Sequence, residues 1–119
     1  MRRYSFHKGH GTENDFVLLP DHDGRLHGEL AAERVRALCD RRAGIGGDGV
    51  LRVVRTAALP DRAAAAGQDA EWFMDYRNAD GSVSEMCGNG VRVFGRHLAE
   101  EGLVDPREPV PVATRAGTK

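Results

Sequence analysis

The chain has 119 residues, 40% of them hydrophobic and 29% charged, which is ordinary for one soluble globular domain. Seventeen lysines and arginines against eighteen aspartates and glutamates give a net charge of -1, so no basic field favours nucleic acid. The longest apolar run, Phe16 to Leu19, is too short to cross a membrane, and no apolar stretch follows Arg2 and Arg3 as in a signal peptide. We therefore expect a cytoplasmic protein that binds neither nucleic acid nor membrane.

Strand and helix patterns alternate in the first half of the chain. Tyr4 to Lys8 alternates loosely and predicts a strand, and Phe16 to Leu19 predicts a second, more buried one. The polar, glycine-containing residues between them predict a turn-rich link. Apolar residues recur at helical spacing between Leu30 and Arg42, which predicts a helix, and Gly44 is placed to end it.

The second half predicts two more strands, a helix and a final strand. The strands are Val50 to Val54 and Trp72 to Tyr76. Residues 56–69 between them have few large apolar side chains, which favours a poorly ordered loop over the alternative of a short helix at residues 62–66. A helical pattern runs from Val91 to Ala99, and Val110 to Thr114 predicts an edge strand. The order strand, strand, helix, strand, strand, helix, strand indicates an α+β fold.

A glycine cluster between the first helix and the third strand imitates a nucleotide-binding motif. Gly44, Gly46 and Gly49 match the pattern G-x-G-x-x-G. That pattern holds a pyrophosphate only where a strand precedes it and a helix follows, because the helix N-terminus binds the phosphates. Here a predicted helix precedes it and a strand follows. We therefore interpret the glycines as a helix end and a tight turn.

The histidines do not predict a metal site. His7 and His10 are three residues apart in a strand or loop, where their side chains do not converge, and no C-x-x-C pattern accompanies them. We interpret both as surface histidines. The signal from His22, His27 and His97 is weaker still.

Of the two cysteines, Cys87 has the more reactive setting. Cys39 lies on the apolar face of the first predicted helix, where a buried structural thiol is expected. Cys87 directly precedes Gly88-Asn89-Gly90 and a helical pattern, so we predict that it lies at a helix N-terminus. Free amides and the helix dipole there lower the pKa of a thiol and hold an anion. The alternative is a small residue that fills a helix-cap pocket.

Three asparagines, Asn14, Asn78 and Asn89, stand in polar segments next to predicted elements. Their neutral amides suit a zwitterionic ligand such as an amino acid, because they can orient both charges without a strong net field. The segment Asn78-Ala79-Asp80-Gly81 is by itself an ordinary turn, which would bring Asn78 beside Cys87 if the two flank a tight bend.

Three stretches of the sequence resemble diaminopimelate epimerases. They are residues 10–16 (HGTENDF), residues 40–49 (DRRAGIGGDG) and, above all, residues 78–92, where NADGS is followed by MCGNGVR. They run in family order and at family spacing over nearly the whole chain. The resemblance implies two similar α+β domains, each a curved, mostly antiparallel sheet wrapped around a central helix, with the substrate in the cleft between them.

The resemblance also implies a chemistry. The family consists of isomerases that convert LL-diaminopimelate to meso-diaminopimelate, for lysine and peptidoglycan precursors, without a cofactor or a metal. One cysteine from each domain faces the substrate α-carbon, one as thiolate base and the other as thiol acid. Cys87 matches the cysteine of the first domain, Gly88 and Asn89 match the pair that holds the carboxylate, and Asn14 and Asn78 match substrate-binding asparagines.

Two departures from the family pattern bear on activity. Gly49 stands where some relatives carry a glutamine that contacts the substrate. The chain ends near the point at which the family enters its second domain, so residues 1–119 correspond to the N-terminal half, and Cys39 does not match the second catalytic cysteine. We expect the chain to be inactive alone, to require the missing C-terminal domain or an equivalent subunit, and to self-associate through surface left uncovered.

Two alternatives stay open at this point. The chain could be half of a related cofactor-independent epimerase or racemase that acts on another amino acid or a peptide, with a separate partner subunit. It could also be a non-catalytic half-domain that binds amino acids or a partner protein. The missing half would distinguish the two epimerase readings, because contacts with the distal end of the substrate would come from it.

Overall fold

The computed structural model describes residues 4–11, 14–59, 70–83 and 88–118. Its main feature is one six-stranded sheet whose order in space follows the order in the chain. The strands are β1 (His7–Gly11), β2 (Asn14–Pro20), β3 (Gly49–Arg55), β4 (Trp72–Asn78), β5 (Ala113–Thr114) and β6 (Gly117–Thr118). The helices are α1 (Ala32–Cys39), a 3-10 turn (Thr56–Ala58) and α2 (Gly88–Glu100).

The sheet is mixed. The pairs β1–β2, β3–β4 and β5–β6 are antiparallel, whereas β2–β3 and β4–β5 are parallel. Parallel neighbours need a crossover, and α1 and α2 lie in the two crossovers. The predicted α+β fold is therefore confirmed, with antiparallel pairs in the majority.

The two helices cover opposite faces of the sheet, because successive side chains of a strand point to opposite sides. Phe16 and Leu18 of β2 belong to the core under α2, which also contains Val93, Phe94 and Leu98. Val17 and Leu19 belong instead to the core that contains Val35 and Cys39 of α1. Burial on both faces explains why β2 is a continuous apolar run.

Two glycines in β1 let α2 lie directly on that strand. A Cβ at Gly9 would come within 2.4 Å of Cγ1 of Val93, and a Cβ at Gly11 would come within 2.8 Å of the backbone oxygen of Asn89. The two glycines are two positions apart and therefore share one face of the strand. Their lack of side chains sets how closely the start of α2 approaches the sheet.

A buried ionic network ties β3, β4 and the C-terminal hairpin together. The carboxylate of Asp75 accepts from Arg52 at 2.9 Å, from Arg77 at 3.0 Å and from Arg115 at 2.8 Å, and Arg52 also binds Asp21 at 3.0 Å. Burial disfavours the charged form of Asp75, but the guanidinium groups outweigh it and hold the pKa of that carboxyl below its ordinary value. Asp75 therefore stays ionised inside the fold.

The predicted boundaries were wrong at both ends of the first helix and at the first strand. The helix spans residues 32–39 rather than 30–42: Leu30 is buried in the preceding loop, and the carboxylate of Asp40 accepts from the amides of Arg42 and Ala43 in the turn that follows. The first strand spans residues 7–11 rather than 4–8, because its glycines, interpreted as a turn, pair with β2 under α2.

The last predicted strand, residues 110–114, is shorter than expected and is not an edge. Only Ala113 and Thr114 form β5, and β6 folds back to cover its outer side. The predicted loop at residues 56–69 begins with the 3-10 turn, and residues 60–69 lie outside the described residues. In the parts of the chain that the structure describes, no helix combines the length and apolar character needed to span a membrane.

Candidate functional site

The predicted asparagines lie at one end of the sheet. Asn14 begins β2 and Asn78 ends β4, and the register pairs Gly49, the first residue of β3, with Asn78 and with Phe16. Because β2 and β3 are parallel and β4 is antiparallel to β3, the start of β2 and the end of β4 meet at the same edge.

Asn14 and Asn89 are in direct contact. Nδ2 of Asn89, the second residue of α2, donates a hydrogen bond of 2.7 Å to Oδ1 of Asn14. The two residues are 75 positions apart in the chain, and both are half-buried. The fold thus joins two of the three predicted amides and fixes their orientation.

Asp48 connects these amides to the end of β4. Its carboxylate accepts from Nδ2 of Asn14 at 3.4 Å and from the amide of Asp15 at 3.1 Å, while its backbone oxygen accepts from the amide of Ala79 at 3.1 Å. Ala79 directly follows Asn78. The sequence analysis named Asp48 only as part of the motif at residues 40–49, and it did not predict that Asp48 would connect Asn14 to the end of β4.

Asp15 is an ionised structural carboxylate whose charge is compensated by two cations. Arg41 donates to it through both terminal nitrogens, at 2.9 and 2.8 Å, and Nζ of Lys8 donates at 2.9 Å. These hydrogen bonds, Arg41 first, hold the pKa of Asp15 well below its ordinary range. The carboxylate therefore does not suit proton abstraction near neutral pH, and its place in the motif is explained by the bridge between β1, β2 and the α1–β3 loop.

Asn78 opens a tight turn. Its amide donates to the backbone oxygen of Ser82 at 2.9 Å, its Nδ2 donates to Oγ of Ser82 at 3.0 Å, and its own backbone oxygen accepts from Gly81 at 2.8 Å. Gly81 has a φ of 90°, which side chains rarely adopt, and a Cβ there would meet Ala32 at 2.7 Å. The turn predicted from the sequence is confirmed, and it is packed against the start of α1.

The start of α2 has the features that favour anion binding at a helix N-terminus. The first amides of a helix have no intrahelical acceptor and carry partial positive charge. Gly88 is exposed, and no atom of the described residues outside its chain neighbours and its own helix lies within 4 Å of where its Cβ would stand, so these residues leave the backbone open to a ligand. Cys87, the predicted reactive thiol, lies outside the described residues, so its place beside these amides stays a prediction that rests on its position directly before Gly88.

Cys39 is a buried, free cysteine, which confirms the interpretation of it as structural. It is 6% exposed, and burial raises the pKa of its thiol above the ordinary value. A thiol with a raised pKa is a poor nucleophile and base at neutral pH.

The glycine-rich loop does not cradle phosphate. It follows α1 and leads into β3, as predicted. The amides of Ile45 and Gly46 donate to the backbone oxygen of Leu38, and the amide of Gly47 donates to that of Cys39. These amides are therefore used to end α1, and Gly46 adopts a φ of 88° to make the turn.

One histidine is buried and contacts a second, which the sequence analysis did not predict. His10 is exposed, as expected, but His97 is 6% exposed and its ring lies 4.9 Å from that of His7. Burial lowers the pKa of His97. The sequence signal that was missed is the i, i+4 spacing of His97 and Glu101 at the end of a strongly amphipathic helix.

Comparison with known sequences agrees with this arrangement. The sequence model of the family described as "Diaminopimelate epimerase" matches residues 6–119. The diaminopimelate epimerase of Thermobifida fusca is 66% identical over 117 residues, which cover 96% of this chain and 42% of that protein. The diaminopimelate epimerase of Streptomyces coelicolor is 60% identical over 117 residues, covering 98% of this chain and 39% of that protein. The chain thus spans about 40% of the length of these curated relatives.

A solved structure has the same fold. The Bacillus anthracis phenazine biosynthesis protein of the PhzF family matches with a TM-score of 0.61 and 21% sequence identity. The match covers 95% of this chain and 33% of that one. It supports the fold of the domain and carries no inference about the reaction.

Proposed function

The chain belongs to the diaminopimelate epimerase family, and we propose that it is the N-terminal half of a cofactor-independent enzyme that interconverts LL- and meso-diaminopimelate. The observation that carries the proposal is the match to the Thermobifida fusca relative. The two sequences are 66% identical over 96% of this chain, but the match covers only 42% of the relative. The rest of the relative's length leaves room for a second domain, which would complete the cleft.

Proton transfer is assigned to Cys87. As a thiolate, its sulfur takes the α-proton of the substrate, and the electron pair of the C–H bond passes into the α-carbon and its carboxylate. A thiol of the second domain then returns a proton to the opposite face, which inverts the centre. The α-proton is only weakly acidic, so the step needs a poised base and a group that stabilises the developing charge.

That stabilising group is the start of α2. The amides of Gly88 and Asn89 would hold the substrate carboxylate, where the positive end of the helix opposes the charge that develops during proton abstraction. The exposure of Gly88 and the fixed side chain of Asn89 support this assignment.

Asn14 and Asn78 are assigned to substrate binding. Both lie at the edge of the sheet where α2 begins, and Asp48 contacts Asn14 directly and Asn78 through the next residue of the chain. Asp48 is therefore a positioning residue. The expected compartment is the cytoplasm, because a reducing environment keeps both catalytic thiols free.

The decisive experiment follows exchange of the substrate α-proton with deuterium in D₂O. The chain alone should show no exchange, and exchange should appear when a C-terminal half, taken from the Thermobifida fusca relative, is added. Exchange by the chain alone would contradict the two-cysteine account. Faster exchange with another amino acid than with diaminopimelate would favour a related racemase instead.

The two cysteines of the chain provide a matched pair of variants for that experiment. Cys87→Ser should remove exchange in the reconstituted enzyme, because a serine hydroxyl is far too weak an acid to replace the thiol. Cys39→Ser should keep exchange wherever the protein folds, since the thiol of Cys39 is buried in the α1 core. The reverse outcome would overturn the assignment.

A further inference from the structure

Three potential metal ligands converge near the C-terminal end of α2. They are His7 of β1, His97 of α2 and Glu101, and their nearest ligand atoms all lie within 4.8 Å of one another. The amide of Glu101 donates to the backbone oxygen of His97 at 3.0 Å, so the helical turn continues and holds both side chains on one face. Nε2 of His7 lies 3.0 Å from Oε1 of Glu101.

His97 is an unexplained buried polar residue. It is 6% exposed, and within the described residues its Nε2 is buried without a hydrogen-bond partner. A buried nitrogen without a partner is unfavourable in the folded protein, because it has given up its hydrogen bonds to water. The ring of His97 makes an edge contact with that of His7, at a centroid distance of 4.9 Å. The two imidazoles are therefore close enough to bind one ion.

The cluster borders a cavity large enough for a hydrated ion. The cavity has a volume of about 320 Å³ and is lined by His7 and His97 among others. The two cations that also line it are both paired: Nζ of Lys8 lies 2.9 Å from Asp15, and Nε of Arg96 lies 2.9 Å from Glu100. Their charges are therefore compensated and do not prevent a cation from entering.

We propose that His7, His97 and Glu101 bind one divalent transition-metal cation of the Zn²⁺ class, with water completing the coordination. Two imidazole nitrogens and one carboxylate oxygen are a ligand set that suits Zn²⁺, at about 2.0–2.2 Å from each atom. Mg²⁺ and Ca²⁺ prefer all-oxygen sites and fit less well. The metal would replace the direct contact between His7 and Glu101 and occupy the unsatisfied imidazole.

The site would act as a clamp, not as part of the proton transfer. His97 lies nine positions after Gly88, which corresponds to roughly 13.5 Å of helix at 1.5 Å per residue. The cation would fasten β1 to the far end of α2, while Gly11 and Asn89 set the approach of the near end.

The test titrates the folded chain with Co²⁺ and then displaces it with Zn²⁺. We expect one ion per chain and visible absorption bands of a low-coordinate Co²⁺ site. His97→Gln and Glu101→Gln should each weaken binding by roughly a hundredfold or more, since loss of an outer-shell partner alone costs 10–100-fold. Glu101 is partly exposed, so Glu101→Gln tests the site even if the His97 variant folds poorly.

One control variant uses the same residue type beside the cluster. His10→Gln changes an exposed residue that lines the same cavity but lies outside the ligand group, and it should bind Co²⁺ as the parent chain does. Binding that survives Glu101→Gln, or that is lost in His10→Gln, would overturn the proposal. So would failure of the folded chain to bind, or an intense near-ultraviolet band from sulfur ligation, which would assign the metal to a cysteine.

Discussion

The side-chain amide of Asn89 donates a hydrogen bond of 2.7 Å to the side-chain oxygen of Asn14, which stands 75 residues earlier in the chain. This bond joins the first turn of α2 to the first residue of β2. Both residues are assigned to the substrate, so one bond orients two groups of the proposed site. Asp48 holds the other side of Asn14 through its Nδ2.

The variant Asn14→Asp tests this arrangement with almost no change in shape. The new carboxylate can still accept from Asn89, but it cannot donate to Asp48 and places like charges about as close as the present 3.4 Å contact. We expect a loss of about 1–3 kcal/mol in the free energy of unfolding at neutral pH, from urea denaturation. In the reconstituted enzyme, kcat/KM should fall at least about tenfold, because the negative charge opposes the substrate carboxylate. The variant Glu100→Gln, at the far end of α2, should leave kcat/KM unchanged.

The variant Gly11→Ala should destabilise the fold and displace the start of α2. Its methyl group would stand 2.8 Å from the backbone oxygen of Asn89, and backbone cannot move aside as a flexible side chain can. We expect a loss of about 1–3 kcal/mol, the usual range for overpacking.

Gly95→Ala is the matched control. Gly95 lies inside α2, and no side chain or neighbouring element in the described parts of the chain comes within 4 Å of its Cβ position, so alanine there should stabilise the protein by about 0.5–1 kcal/mol. Equal losses for the two variants, measured by urea denaturation, would show that the approach of α2 to β1 is not limited by Gly11.

Removal of the central charge of the buried network should be costly. In Asp75→Asn, three guanidinium groups lose their common carboxylate, and we expect a loss of about 3–5 kcal/mol in the free energy of unfolding. The exposed pair of Asp105 and Arg107 provides the contrast, since Asp105→Asn should leave stability unchanged within error. A small loss for Asp75→Asn would mean that water reaches the network.

The same network predicts how stability depends on pH. Burial opposes ionisation of Asp21 and Asp75, but hydrogen bonds and nearby arginines prevail, so both carboxyls have a pKa below the ordinary value. As pH falls, the unfolded chain takes up these protons first, near its carboxyl pKa of about 3.9. The contribution of these two carboxyls to the free energy of unfolding should therefore be complete above about pH 5 and should decline below about pH 4. The decline should be shallower in Asp75→Asn, and equal slopes would contradict the role given to this carboxyl.

Thiol labelling tests the position of Cys39. In a Cys87→Ser background, Cys39 is the only thiol left. Because it is buried and its pKa is raised, a disulfide reagent at pH 8 should label it at least about tenfold more slowly in the native state than in urea. Similar rates in both states would show that α1 does not protect the residue.

Local signals in the sequence predicted the strands, turns and buried residues better than they predicted which elements pack together. The apolar run of β2, the turn at Asn78 and the burial of Cys39 each follow from short patterns, and the structure confirms them. Gly9 and Gly11 were interpreted as a turn, because the chain alone does not show that a helix 75 or more residues away will press on them. Their function is set by tertiary packing.

The same limit applies to the sites. Asn14, Asn78 and Asn89 were singled out as neutral amides in polar segments and then by the resemblance, yet the connection of Asn14 to the end of β4 through Asp48 depends on the parallel pairing of β2 with β3. His7 was judged against His10, its neighbour in sequence, whereas the fold pairs it with His97. Spacing along one segment cannot reveal a cluster whose members come from β1 and α2.

The order of the strands has a consequence for how the domain is made. Because β1 to β6 lie side by side in the order in which they are translated, each new strand can join an edge that already exists. No strand has to be inserted between two others that have already paired. The sheet can therefore grow in one direction as the chain leaves the ribosome, with α1 and α2 closing over it in turn.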